Sequence, residues 1–100
     1  MPVTEIAQLR CWPDRGDAFE AAVESAVEVI AGASAGRRCR VFRGVEEPDC
    51  FTLMVEWPDV ESHSQFRSSP DFSRYRSFIQ DLLAELPHFA HHTLVVGSGQ

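Results

Sequence analysis

Along Phe51-Thr-Leu-Met-Val-Glu-Trp57, apolar Phe51, Leu53, Val55 and Trp57 alternate with Thr52, Met54 and Glu56. A strand sends successive side chains to opposite faces, so the pattern predicts a strand from Cys50 to Trp57. Apolar Met54 on the mixed face predicts cover on both sides. Val3 to Cys11 alternates in the same way, with Val3, Ala7, Leu9 and Cys11 on one face and Thr4, Gln8 and Arg10 on the other. Glu5 and Ile6 break that alternation and leave the register open. Arg37 to Val45 predicts another strand, with Arg37, Arg38, Arg40 and Arg43 on its outer face. The link Glu46-Glu47-Pro48-Asp49 reads as a hairpin turn.

Helical spacing fills the intervals. Phe19, Ala22, Val23, Ala26, Val27 and Ile30 recur three and four apart, Asp14 or Asp17 can cap that helix, and Gly32 and Gly36 end it. Glu20, Glu24 and Glu28 step along its opposite side, where carboxylates stay hydrated, which argues against a catalytic role. After Pro58, Asp59 is placed to cap a helix carrying Val60, His63 and Phe66 on one face. Ser68-Ser69-Pro70 interrupts it, and Phe72, Tyr75, Ile79, Leu82, Leu83 and Leu86 continue an apolar face until Pro87. His88 to Val96 then reads as the last strand.

The resulting order is a ferredoxin-like β-α-β-β-α-β arrangement, an α+β fold with a four-stranded antiparallel sheet and its helices on one face. One domain over residues 1–100, with an ordered core over 3–96, is the expectation at this length. No further helix is left to cover the second sheet face, so a homodimer packed sheet to sheet is expected.

Composition narrows the partners. The formal net charge is −6, and every basic residue is arginine, which argues against nucleic acid because such binders need a positive field. No apolar run approaches the roughly 20 residues of a membrane helix, so no membrane partner is expected. The amino terminus lacks the basic start and apolar stretch of a secretory signal, so a cytoplasmic location is expected. Cys11, Cys39 and Cys50 lack Cys-x-x-Cys spacing and read as small apolar residues.

Imidazole is the side chain whose ordinary pKa lies nearest neutrality, which makes His63, His88, His91 and His92 the first candidates for proton transfer. Strand alternation puts His91 on the face of Phe89 and puts His88 and His92 on the other, while His63 sits on an apolar helical face. His63 and His91 can thus meet across one cavity as catalytic groups, or His63 can be a hydrogen-bonded core histidine. No carboxylate sits at familiar ligand spacing from His88-x-x-His91-His92, so no metal is expected. Trp12, Phe42, Phe66, Phe72, Tyr75, Phe78 and Phe89 can line an apolar pocket for a planar molecule, core filling being the better reading for Phe72 and Phe78. Arg67, beside the Ser68-Ser69-Pro70 break, can hold an anionic group at a cavity mouth, and Arg74 reads as solvated charge.

The run Phe51 to Trp57, then Val60-Glu-Ser-His63, then Phe66-Arg67-x-Ser69-Pro70-x-Phe72, resembles the antibiotic biosynthesis monooxygenase family of dimeric α/β-barrel proteins. The ending Pro87-x-Phe89-x-His91 is similar to a tail motif of its small bacterial members. The resemblance implies relatives that oxidise anthrones without metal or flavin, degrade haem, or oxidise quinols. It implies that Trp57 lines a cavity. It also sets His63 where the anthrone oxygenases carry a tyrosine, and Leu53 where they carry an asparagine. Gln8 falls near a first-strand asparagine of the haem-degrading members, and Arg76 stands where their axial histidine belongs, so haem is not expected.

The reading that results is a cofactor-independent monooxygenase for a small aromatic or polyketide-like substrate. It assigns His63 and His91 to catalysis and Trp57, Phe66, Arg67, Phe72, Tyr75, Gln8 and Phe89 to substrate binding. The same pocket also suits a polyketide-type cyclase or isomerase, or a non-catalytic small-molecule-binding or stress-response domain.

Overall fold

A computed structural model describes residues 1–33 and 37–99. Its elements are β1 (Val3–Arg10), α1 (Gly16–Gly32), β2 (Arg37–Arg43), β3 (Cys50–Trp57), α2 (Val60–Arg67), α3 (Pro70–Ile79) and β4 (His88–His92), with one 3₁₀ turn at Gln80–Leu82. The four strands form an antiparallel sheet in the order β2-β3-β1-β4, the ferredoxin-like arrangement that the periodicity predicts.

The register explains the layers. Opposed residues of an antiparallel pair share a face. Val41, Leu53, Ala7 and Phe89 therefore form one row across the helix-covered face, and Cys39, Val55, Glu5 and His91 form the next. On the opposite face the central row is Arg40, Met54, Ile6 and Ala90. The alternation in β1 is thus unbroken. Glu5 is a core-face residue and Ile6 an open-face one, an arrangement hidden in the sequence because each has the polarity of the other side.

Phe19, Val23, Ala26, Val29 and Ile30 of α1 bury against Leu9, Phe51, Leu53 and Val55, and the Phe19 and Phe51 rings lie 4.7 Å apart. Burying such side chains is worth about 1.5–3 kcal/mol each. Neither Asp14 nor Asp17 caps α1. Arg15 holds the N-cap position without a side-chain bond, Asp14 takes a left-handed turn at φ 65°, and Asp17 accepts from Arg43 Nη1 at 2.8 Å. Gly32 ends the helix as expected, whereas Gly36 lies outside the described residues.

Several boundaries differ from the sequence pattern. β2 stops at Arg43, before Val45, where Gly44 N–H bonds Cys50 O to close the hairpin. Arg43 turns to the helix side and reaches Asp17 and Glu20, so the arginines of β2 do not share one outer face. α3 ends at Ile79, well before Pro87. The chain there tightens into the 3₁₀ turn, and Leu83 bridges Cys11 across the sheet end. Leu86 is consequently exposed and not part of a helical face. β4 ends at His92, the last residue paired with β1, opposite Thr4, and Leu94, Val95 and Val96 are exposed. Trp12, at 50 %, and Phe78 are also exposed, outside both core and cavity.

Candidate functional site

Sheet register and one short helix build the site. β1 and β4 place Glu5 opposite His91 on the core face, and Trp57 closes β3 diagonally beside Glu5. Asp59 accepts a hydrogen bond from Ser62 N at 2.7 Å, fixing the first turn of α2 directly after β3. His63, in the following turn, is thereby carried down over Glu5, Trp57 and His91.

Distances define a polar chain within this apolar shell. Trp57 Nε1–H donates to Glu5 Oε1 at 3.0 Å, and His63 Nε2 stands 3.3 Å from the same oxygen. On its other side His63 Nδ1 shares a hydrogen bond of 2.8 Å with His91 Nε2. The His63 ring stacks on Trp57 at 4.8 Å with 17° between planes, and it meets the Phe89 ring edge-on at 5.2 Å. Glu5 is 7 % exposed and His63 only 3 %, while His91 is half-buried.

Burial dominates the proton affinities. It pushes the Glu5 carboxyl up, against the Trp57 hydrogen bond and the positive charge of Arg67. It pushes His63 down to about 4, with Arg67 and His91 adding to the shift. His91 is lowered by burial, Arg67 and His92. His63 is therefore a neutral imidazole at neutral pH. A proton entering at His63 Nε2 can displace the shared proton from His63 Nδ1 to His91 Nε2 while His91 Nδ1 releases its own, so that both rings exchange tautomers with no imidazolium formed at the buried position.

A cavity of about 200 Å³ opens beside this chain, walled by Ala7, Leu9, Phe72 and Tyr75 with Glu5, His63, Arg67, Arg76 and Phe89 among its lining. Leu86 and Pro87 form the outer wall. Burial and the Glu5 charge raise the Tyr75 phenol well above its ordinary value, so it stays a hydrogen-bond donor. Arg67 rests its guanidinium over the Phe89 ring at 4.9 Å, at the exposed rim.

The structure brings His63, His91, Arg67, Phe72, Tyr75 and Phe89 together around this space. Trp57 and Phe66 stand one layer behind it, their rings 5.5 Å apart, with Trp57 supporting His63. Gln8 is placed elsewhere. It is exposed on the open sheet face, bonded to Thr52 Oγ1 at 3.1 Å, because even-numbered positions of β1 point away from the helices. His88 and His92 share that open face. Glu5 and Arg76 are the site residues that the sequence pattern does not single out. The signal available for Glu5 was the polar position in the otherwise apolar series Val3, Ala7, Leu9 and Cys11.

A larger groove of about 500 Å³ runs between α1 and β2, lined by Glu20, Glu24, Glu28 and Arg43. It is remote from the histidines, and its arginine is already paired with Asp17 and Glu20. Cys11, Cys39 and Cys50 are free thiols, and burial lifts Cys39 to about 12, which leaves it un-ionised and poorly nucleophilic. Among the described residues no three His, Cys, Asp or Glu side chains are arranged to hold a metal ion. No helix among them is long and apolar enough to cross a membrane.

Comparison with known proteins matches residues 2–77 to the family described as antibiotic biosynthesis monooxygenase. A crystallised Bordetella bronchiseptica protein classed with these monooxygenases superposes with a TM-score of 0.89 at 32% identity, covering 95% of this chain and 98% of that one. The Bacillus subtilis (strain 168) protein YczJ, itself uncharacterised, is 26% identical over 90 residues, 89% of this chain and 95% of its own length. SnoaB, a cofactor-independent oxygenase of Streptomyces nogalater, crystallised as a point mutant, shares the fold with a TM-score of 0.82 at 13% identity, covering 99% of this chain and 98% of that one.

Proposed function

Because the chain belongs to the antibiotic biosynthesis monooxygenase family, we propose that it oxygenates a small electron-rich aromatic molecule without a bound cofactor, using Glu5 and His63 to move the substrate proton. The observation that carries this reading is the buried Glu5 carboxylate on the cavity wall, with Trp57 and His63 both set against one of its oxygens.

A carboxylate whose pKa is raised is a stronger base than an exposed one. Glu5 accepts the proton of a phenol or of an activated C–H held against the apolar wall. Both ring nitrogens of His63 face protein groups, Glu5 on one side and His91 on the other, so His63 serves as a relay and His91 as its outlet toward solvent. The substrate anion is the reductant. Its carbon is oxidised by dioxygen to a peroxide anion, the proton taken up by Glu5 returns to it to give the hydroperoxide, and loss of water leaves a carbonyl, so that a CH₂ group and O₂ become C=O and H₂O. The apolar walls keep water from competing with delocalisation of the anion.

The open sheet face supports a second part of this reading. Ile6, Met54 and Ala90 form the apolar part of its central row, which Arg40 completes, and Phe42 beside them is 47 % exposed. A second copy packed there would complete a dimeric α/β barrel.

Oxygen uptake with anthrone and quinol substrates tests the function, comparing wild type with Glu5→Gln and His63→Ala. Both variants are expected to lose most of the rate, and equal rates in all three would remove the two residues from the chemistry. A product isomeric with its substrate, formed without oxygen uptake, would indicate a cyclase or isomerase on the same proton relay.

A further inference from the structure

Arg76 lines the cavity from α3, and its Nε is buried without a hydrogen-bond partner among the described residues. Buried donors are almost always satisfied, and a charged one left alone carries its full desolvation cost. Among the described residues no acid pairs with it. Glu5 is engaged with Trp57 and His63, and no ion pair among the described residues includes Arg67 or Arg76. Arg67 stands at the rim of the same cavity, and its charge is felt at Glu5, His63 and His91 alike. Two guanidinium groups thus face one apolar space in a chain whose net charge is −6. Against them the cavity wall sets one carboxylate, Glu5.

We propose that the cavity binds a one-ring hydroxylated aromatic carboxylate, with Arg76 clamping the carboxylate and Arg67 drawing it in from the rim. With Arg76 Nε sealed by the protein, the terminal Nη edge of its guanidinium is the one left for a ligand, and its two parallel N–H donors match the two oxygens of a carboxylate and not the single oxygen of a phenolate. Size agrees. An apolar cavity of about 150 Å³ accommodates benzene, so the 200 Å³ here suits one substituted ring. Drug-sized pockets begin at about 300 Å³. With the carboxylate held by Arg76, the ring lies among Ala7, Leu9 and Phe72, and its hydroxyl is left to Glu5 and His63. The hydroxyl rests on the oxygenase reading, whereas the carboxylate does not.

Isothermal titration calorimetry under argon with 2,5-dihydroxybenzoate, hydroquinone and 4-nitrophenolate tests the proposal on wild type, Arg76→Gln, Arg76→Lys and Arg67→Gln. Wild type is expected to bind the acid at least about tenfold more tightly than hydroquinone, a gain in the range of one charge-assisted bidentate pair. Arg76→Gln is expected to abolish that preference, Arg76→Lys to restore it only in part, and Arg67→Gln to weaken its dependence on salt. Equal wild-type affinity for acid and hydroquinone, a preference surviving Arg76→Gln, or nitrophenolate binding as tightly as the acid would overturn the proposal. If Arg76→Gln does not fold, the lysine variant and the wild-type ligand series decide. Acid preference without oxygen uptake on any substrate would sink the oxygenase reading and leave this one standing. Oxygen uptake on neutral quinols with no acid preference would do the reverse.

Discussion

Trp57 Nε1 and Glu5 Oε1, 3.0 Å apart, meet diagonally across the core face, since Trp57 pairs with Val3 and Glu5 with Val55. The bond gives a buried carboxylate one fixed acceptor role and orients it against His63. Glu5→Gln retains an acceptor oxygen for the indole but removes the charge and the base. The variant is therefore expected to fold, with the Trp57 indole N–H resonance still shifted by its hydrogen bond, and to lose about 10²- to 10⁴-fold in oxygen uptake, the range for a lost general base. Initial rates beside a ¹H–¹⁵N spectrum check both halves, and a full rate with the indole bond intact would exclude Glu5 as the base.

Histidine burial predicts a definite pH window. His63 falls from 6.5 to about 4 on folding, so between those values the unfolded chain binds the extra proton and stability rises with pH. That stability is fully present above 6.5 and is lost as pH falls through about 4, amounting to about 3 kcal/mol for this 3 % exposed ring. Glu5 acts oppositely. Its raised pKa adds stability below 4.5 that is lost as pH rises through the folded value. Urea titrations at pH 4 and 6.5 on Glu5→Gln and on Glu5→Gln/His63→Gln isolate the histidine. The single variant is expected to lose about 3 kcal/mol more than the double on acidification, and parallel losses would mean that His63 does not titrate there.

Sequence periodicity carried the fold further than the site. Phe51, Leu53, Val55 and Trp57 keep one face of the strand wholly apolar, and β3 spans Cys50–Trp57 as that pattern predicts. Where local signals compete, tertiary pairing decides. Leu82, Leu83 and Leu86 continue a helical spacing, yet the Leu83 bridge to Cys11 pulls the chain out of the helix. His63 and His91 were legible because α2 and β4 have their own periodicity, and their 2.8 Å contact follows from the faces those elements present. Glu5 was not, because a carboxylate in β1 reads as solvent-facing until Trp57 and His63 are seen around it. Gln8 failed for the complementary reason: its likeness to a functional asparagine concerned position along the strand, whereas strand parity decides which face it occupies.

Pairing at the open sheet face makes a separate prediction. Ile6 faces Met54 on one side and Ala90 on the other, at the middle of the four-residue row. A carboxylate there would be trapped between two apolar sheets in a dimer but would be hydrated in a monomer. Ile6→Glu is expected to shift the assembly from dimer to monomer by light scattering, with Gln8→Ala, at the polar flank of the row, leaving it unchanged. A wild-type chain that is monomeric at high micromolar concentration would remove the dimer.

The shortest α-helix carries His63, so the proposed relay depends on its cap. α2 has eight residues, too few to be stable in isolation, and in its first turn the Ser62 N–H donates to the Asp59 carboxylate. His63 lies immediately beyond that turn. Its ring must keep 3.3 Å to Glu5 and 2.8 Å to His91 at once, so fraying at Asp59 misplaces both contacts. Asp59→Ala is expected to lower the melting temperature and to reduce turnover by about ten- to hundredfold, the penalty of a displacement near 1 Å. Asp59→Ser, which can still cap, is expected to recover most of both. A purely structural role for α2 would lower the melting temperature of Asp59→Ala while leaving turnover per folded molecule at the wild-type value, and rates measured well below the melting transition separate the two.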